Sequence, residues 1–166
     1  MKKLLMTLLA VFMLVGCGGG EDKPDNNTGN ANTKPQYYFE VNNTKVYMNQ
    51  DFSEVYASLG QEQSKFTSPS CAFEGQEDNV YTYPSYQLTT YTKDGKEYVY
   101  SITLKDDTVL AHGAYLGQDK DSVIALIGKD YKDNNGAVTY EGKDGNLEFI
   151  FEDNSVSQIS YTAIVE

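Results

Sequence analysis

The sequence predicts an α+β fold built from two tandem repeats, each with a short helix followed by an antiparallel β-meander. Two observations support this prediction. Residues 47–60 recur as residues 115–128 without a gap, and each copy is followed by aromatic and β-branched runs separated by turn residues. We expect repeat 1 to span residues 37–110 and repeat 2 to span residues 111–166. Both repeats should form one compact domain, with the helices packed on one face of a curved sheet.

The repeated segment carries the pattern of a short amphipathic helix in both copies. It reads YMNQDFSEVYASLG in the first copy and YLGQDKDSVIALIG in the second. Asp51 and Asp119 suit an N-cap, where a carboxylate accepts free backbone N–H groups, and Gly60 and Gly128 suit a left-handed C-terminal cap. Apolar residues between them follow helical spacing. Helices this short are marginal alone, so their apolar stripes should pack on a sheet.

Strands are predicted after each helix, where Asp-Gly and Asp-Asn turns separate them. In the first copy the predicted strands are Cys71–Gly75, Asn79–Pro84, Ser85–Lys93 and Lys96–Lys105. In the second copy they are Gly136–Gly142, Asn146–Glu152 and Ser155–Val165. Turns at residues 94–95, 144–145 and 153–154 are typical of antiparallel hairpins.

Alternation along the strands predicts which side chains face the core, because successive residues point to opposite sides. The bulkier sets should face the helices, and they are Tyr98, Tyr100, Ile102 and Leu104, with Leu147, Phe149 and Phe151 in the second copy. The opposite side is then a candidate binding face, with the residues Gln87, Thr89, Tyr91, Val99, Ser101, Glu148 and Ile150. Tyrosine suits a contact surface, although it also fills half-buried strand positions in small β proteins.

The N-terminus predicts export. Lys2 and Lys3 precede an apolar stretch, Leu4–Leu14, which is shorter than the roughly 20 apolar residues that a membrane-spanning helix needs. This pattern therefore predicts a secretory signal peptide. Residues 18–36 contain no aromatic residue and no aliphatic residue larger than Ala, so they should form a flexible tether.

The tetrapeptide LVGC at residues 14–17 resembles the lipobox of bacterial lipoproteins. The resemblance implies that Cys17 is linked to diacylglycerol and becomes the N-terminus after cleavage, so that residues 1–16 are the signal peptide and residues 17–36 are the lipidated cysteine and the flexible tether. Acyl chains then anchor the protein at the outer face of the cell membrane. The alternative is an ordinary signal peptide cleaved elsewhere, with Cys17 unmodified.

The charge balance excludes one class of partner. The chain has 13 basic residues, all lysine, against 24 acidic ones, and its net charge is −11. Because nucleic-acid binding depends on clustered cationic side chains, a nucleic-acid partner is not predicted. An acidic surface is also repelled by anionic headgroups, so the predicted anchor is the lipid rather than electrostatic attraction.

The residue types that carry chemistry are sparse and outside recognisable motifs. Cys71 and His112 are the thiol and the imidazole that would have to meet in a nucleophilic pair, but Cys71 is better interpreted as a buried apolar residue and His112 as a partly exposed connector. The acidic groups at 106–107, 119–121 and 130–136 lack the spacing of a calcium-binding loop and suit turns or helix caps. We therefore predict no enzyme, no cofactor and no metal site.

The order of elements resembles the tandem-repeat fold of the β-lactamase inhibitory proteins, of which SmpA/OmlA-type outer-membrane lipoproteins carry one unit. The resemblance rests on the helix-then-meander order, on YLGQDKDSVIALIG followed by YEG at 140–142, and on the terminal FEDNSVSQISY at 151–161. The chain is also similar to lipoproteins of low-GC Gram-positive bacteria without established activity. The resemblance implies protein binding by a curved sheet or its edge loops, without catalysis. Recognition loops and paired cysteines like those of the inhibitors are missing, so β-lactamase inhibition is not predicted.

Two functions remain open from the sequence. The first is a non-catalytic binding lipoprotein whose sheet face docks an envelope or secreted protein. The second is a lipoprotein that binds or senses a small ligand, such as a cation, a sugar or a peptidoglycan fragment, in the groove between the two repeats.

Overall fold

Eleven β-strands, one α-helix and two 3₁₀ turns make up the described part of the chain. The computed structural model describes residues 34–70 and 73–165. The predicted signal peptide, Cys17, most of the tether and Cys71 lie outside these residues. The strands are β1 Phe39–Val41, β2 Thr44–Val46, β3 Ser64–Pro69, β4 Glu77–Thr82, β5 Tyr86–Lys93, β6 Lys96–Leu104, β7 Leu110–Ala111, β8 Lys132–Asn134, β9 Ala137–Glu141, β10 Gly145–Glu152 and β11 Ser155–Ala163. The helix α1 is Lys120–Ile127, and the 3₁₀ turns are Phe52–Glu54 and Tyr56–Ser58.

The strands form one large and one small sheet. The large sheet has eight strands in the order β3-β4-β5-β6-β11-β10-β9-β8, and all its neighbours are antiparallel. It therefore consists of two four-stranded meanders that meet at their last strands, where residues 101–103 pair with residues 160–162. The small sheet has the order β2-β1-β7.

The predicted hairpins are confirmed where the turn chemistry is strong. Asp94 and Gly95 connect β5 to β6, and Asp153 and Asn154 connect β10 to β11. All four residues have positive φ between 48° and 76°, the conformation of the two-residue turns that match the twist of antiparallel strands.

The predicted fold class is wrong. Strands account for 50% and helices for 11% of the structure, with a single α-helix, so the protein is mainly β rather than an α+β fold with one helix per repeat. The first copy forms two 3₁₀ turns, because Val55 N–H bonds to Phe52 O and Leu59 N–H bonds to Tyr56 O at 3.2 Å. Aromatic and serine residues are weak helix formers, and the tighter turn places Phe52, Val55 and Leu59 in the core.

The second copy does form the predicted helix, α1. The Asp119 carboxylate accepts a hydrogen bond from Ser122 N–H at 2.9 Å, and Gly128 closes the C-terminus with a φ of 120°. Its Val123 is fully buried.

The core lies between one face of the eight-stranded sheet and a layer made of the small sheet, the 3₁₀ turns and α1. Phe39 and Val46 from the small sheet join Leu88, Ile102 and other inward residues of the large sheet in one cluster. The predicted inward positions Ile102, Leu104, Leu147 and Phe149 are buried.

The prediction of which β6 side chains face the core is wrong for Tyr98, Val99 and Tyr100. Thr89 pairs with Ser101 but Thr90 pairs with Val99, so Tyr100 is the extra residue of a β-bulge. A bulge shifts the alternation by one residue. Val99 therefore points into the core and is fully buried, while Tyr98 pairs with Tyr91 on the opposite face.

Several strands were not predicted. β1, β2, β7 and β8 have only two or three residues, too few to show a period. β3 reads SKFTSP and is almost entirely exposed, so it lacks alternation of apolar and polar residues. The described part of the predicted strand 71–75, residues 73–75, is a bend and turn.

Candidate functional site

The candidate binding face lies on the side of the large sheet away from the core, which we call the open face. Gln87, Thr89 and Tyr91 on β5 share this face with Thr103, Ser101 and Tyr98, their partners on β6. Glu148 and Ile150 lie on the same face of β10, opposite Ser160 and Gln158. Val99 is the exception, because the bulge places it in the core.

The middle of the open face is polar and uncharged. Thr89, Ser101 and Thr162 lie side by side across β5, β6 and β11, next to the row formed by Gln87, Thr103 and Ser160. Short hydroxyl side chains donate and accept hydrogen bonds and leave a flat surface. Its hydroxyl groups can therefore contact a partner without desolvation of a charge, while the Glu148 carboxylate lies next to Ser160 at the border of the region.

An aromatic cluster borders this polar region. Tyr91 stacks on Phe73 with 5.1 Å between ring centroids and on Tyr98 with 5.5 Å, and its edge contacts Tyr100 at 6.2 Å. Tyr91 itself is only 6% exposed, and burial raises the pKa of its hydroxyl. The accessible part of the cluster is therefore Phe73, Tyr98 and Tyr100, which are half-buried. Tyr98 and Tyr100 were not predicted on this face, because the bulge leaves no local signal.

The edge strand β3 extends the open face. Phe66 pairs with Val80, which places it on this face, and its side chain is 66% exposed. Lys65 and Pro69 on the same strand are typical of edges that resist further strand pairing. The edge therefore resists pairing with a further strand, and the exposed Phe66 ring is available for side-chain contact with a partner.

The gap between the two meanders is filled by the first repeated motif. Asn49 N–H bonds to Val99 O at 2.8 Å, and the Asn49 side chain donates to Asp144 O and Ile164 O at 3.3 and 3.0 Å. Tyr91 OH donates to Asn49 Oδ1 at 3.1 Å. A cavity of about 330 Å³ remains beside these residues. Asn49 thus lies in the groove predicted from the sequence for a small ligand, with this cavity beside it.

The second motif makes equivalent bonds to β11, the other central strand. Gly117 N–H bonds to Val156 O at 2.8 Å, as Asn49 does to Val99. Tyr47 N–H and Tyr115 N–H each donate to the glutamine three residues later, at 3.2 Å. The repeated residues thus attach each motif to the edge of a central strand.

His112 is a connector, as predicted. It follows β7 with a φ of 50° and is half-buried beside Tyr37 and Tyr38, whose ring centroids lie 5.3 and 4.6 Å away. Burial and the nearby Lys45 lower the pKa of its imidazole. Cys71, the partner that a nucleophilic pair would require, lies outside the described residues.

The acidic groups considered for calcium form turns and a cap, as predicted. Asp106 accepts from Thr108 N–H at 2.9 Å, Asp133 from Gly136 N–H at 3.3 Å, and Asp119 caps α1. The pKa values of the three carboxyl groups are held below their usual range, mainly by the side-chain hydrogen bonds of Thr108 to Asp106 and of Ser122 to Asp119 and by the backbone hydrogen bond of Gly136 to Asp133. Within residues 34–70 and 73–165, no three His, Cys, Asp or Glu side chains are grouped to hold a metal ion.

Two further findings concern membrane-spanning helices and similarity to known proteins. None of the helices among the described residues has the length and apolar character needed to cross a bilayer. No protein-family model, curated protein or solved structure gives a significant match to the chain. The resemblance to the β-lactamase inhibitory proteins and to SmpA/OmlA-type lipoproteins therefore stays a prediction.

Proposed function

We propose that this protein is a lipid-anchored extracytoplasmic binding module that docks a basic envelope or secreted protein on the open face of its large sheet, without catalysis. The observation that carries this proposal is the composition of the open face. An uncharged hydroxyl-rich centre is bordered by the aromatic cluster on one side and by Phe66 and Ile150 further out. Aromatic rings around a region of low charge are typical of protein interfaces.

The chemistry of the partner follows from charge. The chain carries a net charge of −11, and a field of that sign accelerates encounter with a positively charged protein. At the interface itself, the uncharged centre favours hydroxyl and backbone contacts. The partner should therefore be basic overall, with apolar side chains that contact Phe66 and the aromatic cluster.

Anchoring supports the same function. The LVGC motif predicts acylation of Cys17, and the tether of residues 18–36 reaches about 60 Å at most when fully extended. A binding face on such a tether can search the space above the membrane. Attachment also raises the effective concentration of the face for partners in the envelope.

The test is site-specific cross-linking on the full-length chain in its native envelope. A photoreactive phenylalanine analogue replaces Phe66 or Tyr98 on the open face, and Leu126 in a matched control. Leu126 is 50% exposed on α1, away from this face. We expect one discrete basic protein to be captured from positions 66 and 98 but not from 126.

A substitution makes this test decisive. Ile150→Lys adds a charge to the open face and should abolish the cross-link from position 66, while Leu126→Lys should leave it intact. Equal capture from all three positions, or capture insensitive to Ile150→Lys, would refute docking on the open face.

A further inference from the structure

A cavity of about 560 Å³ lies on the opposite side of the sheet from the open face. It opens between the 3₁₀ turns and the tip of the β5–β6 hairpin, with Tyr56, Glu62, Lys65 and Glu97 among its lining residues. This volume falls within the range of about 300–1,000 Å³ that is usual for small-ligand sites. Since Lys65 pairs with the inward-facing Tyr81, the cavity is independent of the proposed docking surface.

One wall of the cavity is an exposed aromatic ring in a defined orientation. Tyr56 is 42% exposed and donates its hydroxyl hydrogen to Glu62 Oε1 at 3.0 Å. Behind it, Phe52 lies 5.3 Å away between ring centroids and contacts Tyr81 in turn. The ring is held at its back and at its tip, so its free side is a preformed platform for a flat apolar surface.

The opposite wall is a carboxylate held by two hydrogen-bond donors and one ion pair. Glu97 Oε2 accepts from Tyr81 OH at 2.8 Å and from Thr90 Oγ1 at 3.0 Å, while Lys65 Nζ lies 3.6 Å from Oε1. Lys65 Nζ also lies 4.9 Å from the centroid of the Tyr81 ring. The cavity thus already holds one ammonium group between an aromatic ring and a carboxylate.

Among the charged groups that line the cavity, one carboxylate has no cationic partner in the described part of the chain. Lys65 is paired with Glu97, and Lys96 with Asp51 at 3.5 Å. Among the described residues, no lysine lies within ion-pairing distance of Glu62, which has only the Tyr56 hydroxyl as a partner. The site therefore has room for one additional positive charge next to the Tyr56 ring.

We propose that this cavity binds an amino sugar. The apolar side of the pyranose ring packs on Tyr56, and its protonated amine pairs with Glu62. Sugar hydroxyls, which donate and accept, match the ammonium and carboxylate groups of the remaining walls. An alkyl ammonium such as a lysine side chain would supply the charge but carries no hydroxyl groups that could hydrogen-bond to those walls.

The test titrates disaccharides of one skeleton into the full-length chain and follows the backbone amide signals by NMR at mildly acidic pH. The probes are the glucosamine dimer, its fully N-acetylated form and cellobiose. We expect the glucosamine dimer to bind about tenfold more tightly than the two uncharged sugars, because a charge-assisted hydrogen bond is replaced by a neutral one.

Two variants with matched controls localise the binding. Tyr56→Ala should weaken all three sugars by up to about tenfold, whereas Tyr115→Ala, which removes another tyrosine of 42% exposure, should change nothing. Glu62→Gln should remove the preference for the amine and keep the affinity for cellobiose. Tyr56→Phe keeps the ring and should retain most of the binding, which separates loss of the platform from loss of folding.

Other results would overturn the proposal. Equal affinity for cellobiose and the glucosamine dimer would exclude Glu62 as the amine partner. Equal or tighter binding of a blocked lysine amide would identify an alkyl ammonium site instead. Because docking is tested by cross-linking on the other side of the sheet, failure of this proposal leaves the proposed function standing.

Discussion

The side chain of Asn49 should contribute a large share of the stability of the region between the two meanders. Its amide spans three elements, since it donates to Asp144 O and Ile164 O and accepts from Tyr91 OH. Its backbone also has a positive φ of 60°, which asparagine adopts at little cost and alanine does not. Asn49→Ala therefore removes the hydrogen bonds and adds backbone strain together.

The expected loss can be worked out from these contacts. The two partly buried bonds, to Asp144 and Tyr91, contribute about 1 kcal/mol each, and the exposed third bond little. Alanine at positive φ costs a further 1 kcal/mol or so. The free energy of unfolding should fall by about 3 kcal/mol, a large share of the roughly 5–15 kcal/mol typical of a domain.

Urea unfolding of the full-length chain, followed by tyrosine fluorescence and circular dichroism, measures this loss as a lower midpoint with an unchanged slope. Asn42→Ala is the matched control. Asn42 also has a positive φ, 49°, but makes a single exposed bond to Ser58 O at 3.1 Å. It should lose only about 1 kcal/mol, the cost of the strain.

Asn49→Gly divides the effect into its two parts. Glycine relieves the strain and still lacks the amide, so its loss should be about 2 kcal/mol, the two partly buried bonds alone. In the second motif the equivalent residue is already a glycine, Gly117, with a φ of 88°. If Asn49→Ala destabilises no more than Asn42→Ala, the bridging role of this amide is refuted.

Three further predictions address packing and pH. Gly145→Ala should lower the unfolding free energy by about 1–3 kcal/mol, because the new methyl group would overlap a backbone carbonyl of β11. The control Gly95→Ala has open space around the new methyl group and adds only the strain of its positive φ. Equal urea midpoints for the two variants would contradict this prediction. Ser122 holds the pKa of the Asp119 carboxyl below its usual range, so the cap stabilises α1 at neutral pH and loses its effect as pH falls through that lowered pKa. Asp119→Ala should accordingly flatten the acid limb of the stability profile, and an unchanged limb would count against the cap. Burial raises the pKa of Tyr140 to about 12, so stability is complete below about pH 10, where unfolded tyrosine begins to ionise, and falls above it. As pH rises, tyrosinate absorbance should therefore increase together with the loss of circular dichroism. Ionisation of all tyrosines without unfolding would contradict this prediction.

Local chemistry accounts for what could be predicted. The Asp94-Gly95 and Asp153-Asn154 turns, the strands on either side of them and the Asp119 cap depend on residues within a few positions of one another. These interactions are the same in any surrounding structure, and the structure confirms them. The exposure of Gln87 and the half-exposure of Thr89 follow from alternation in a strand that has such a turn at its end.

The fold class and the composition of the open face were decided by tertiary structure. The first motif forms 3₁₀ turns because Phe52 packs against Tyr81, a residue in another strand. The bulge at Tyr100 moves Val99 into the core and Tyr98 to the open face. It arises because β6 must hydrogen-bond to β5 along one edge and to Asn49 along the other. The cavity at Glu62 likewise joins segments distant in sequence. A period of two or of 3.6 residues describes one segment at a time, so it carries no information about such contacts.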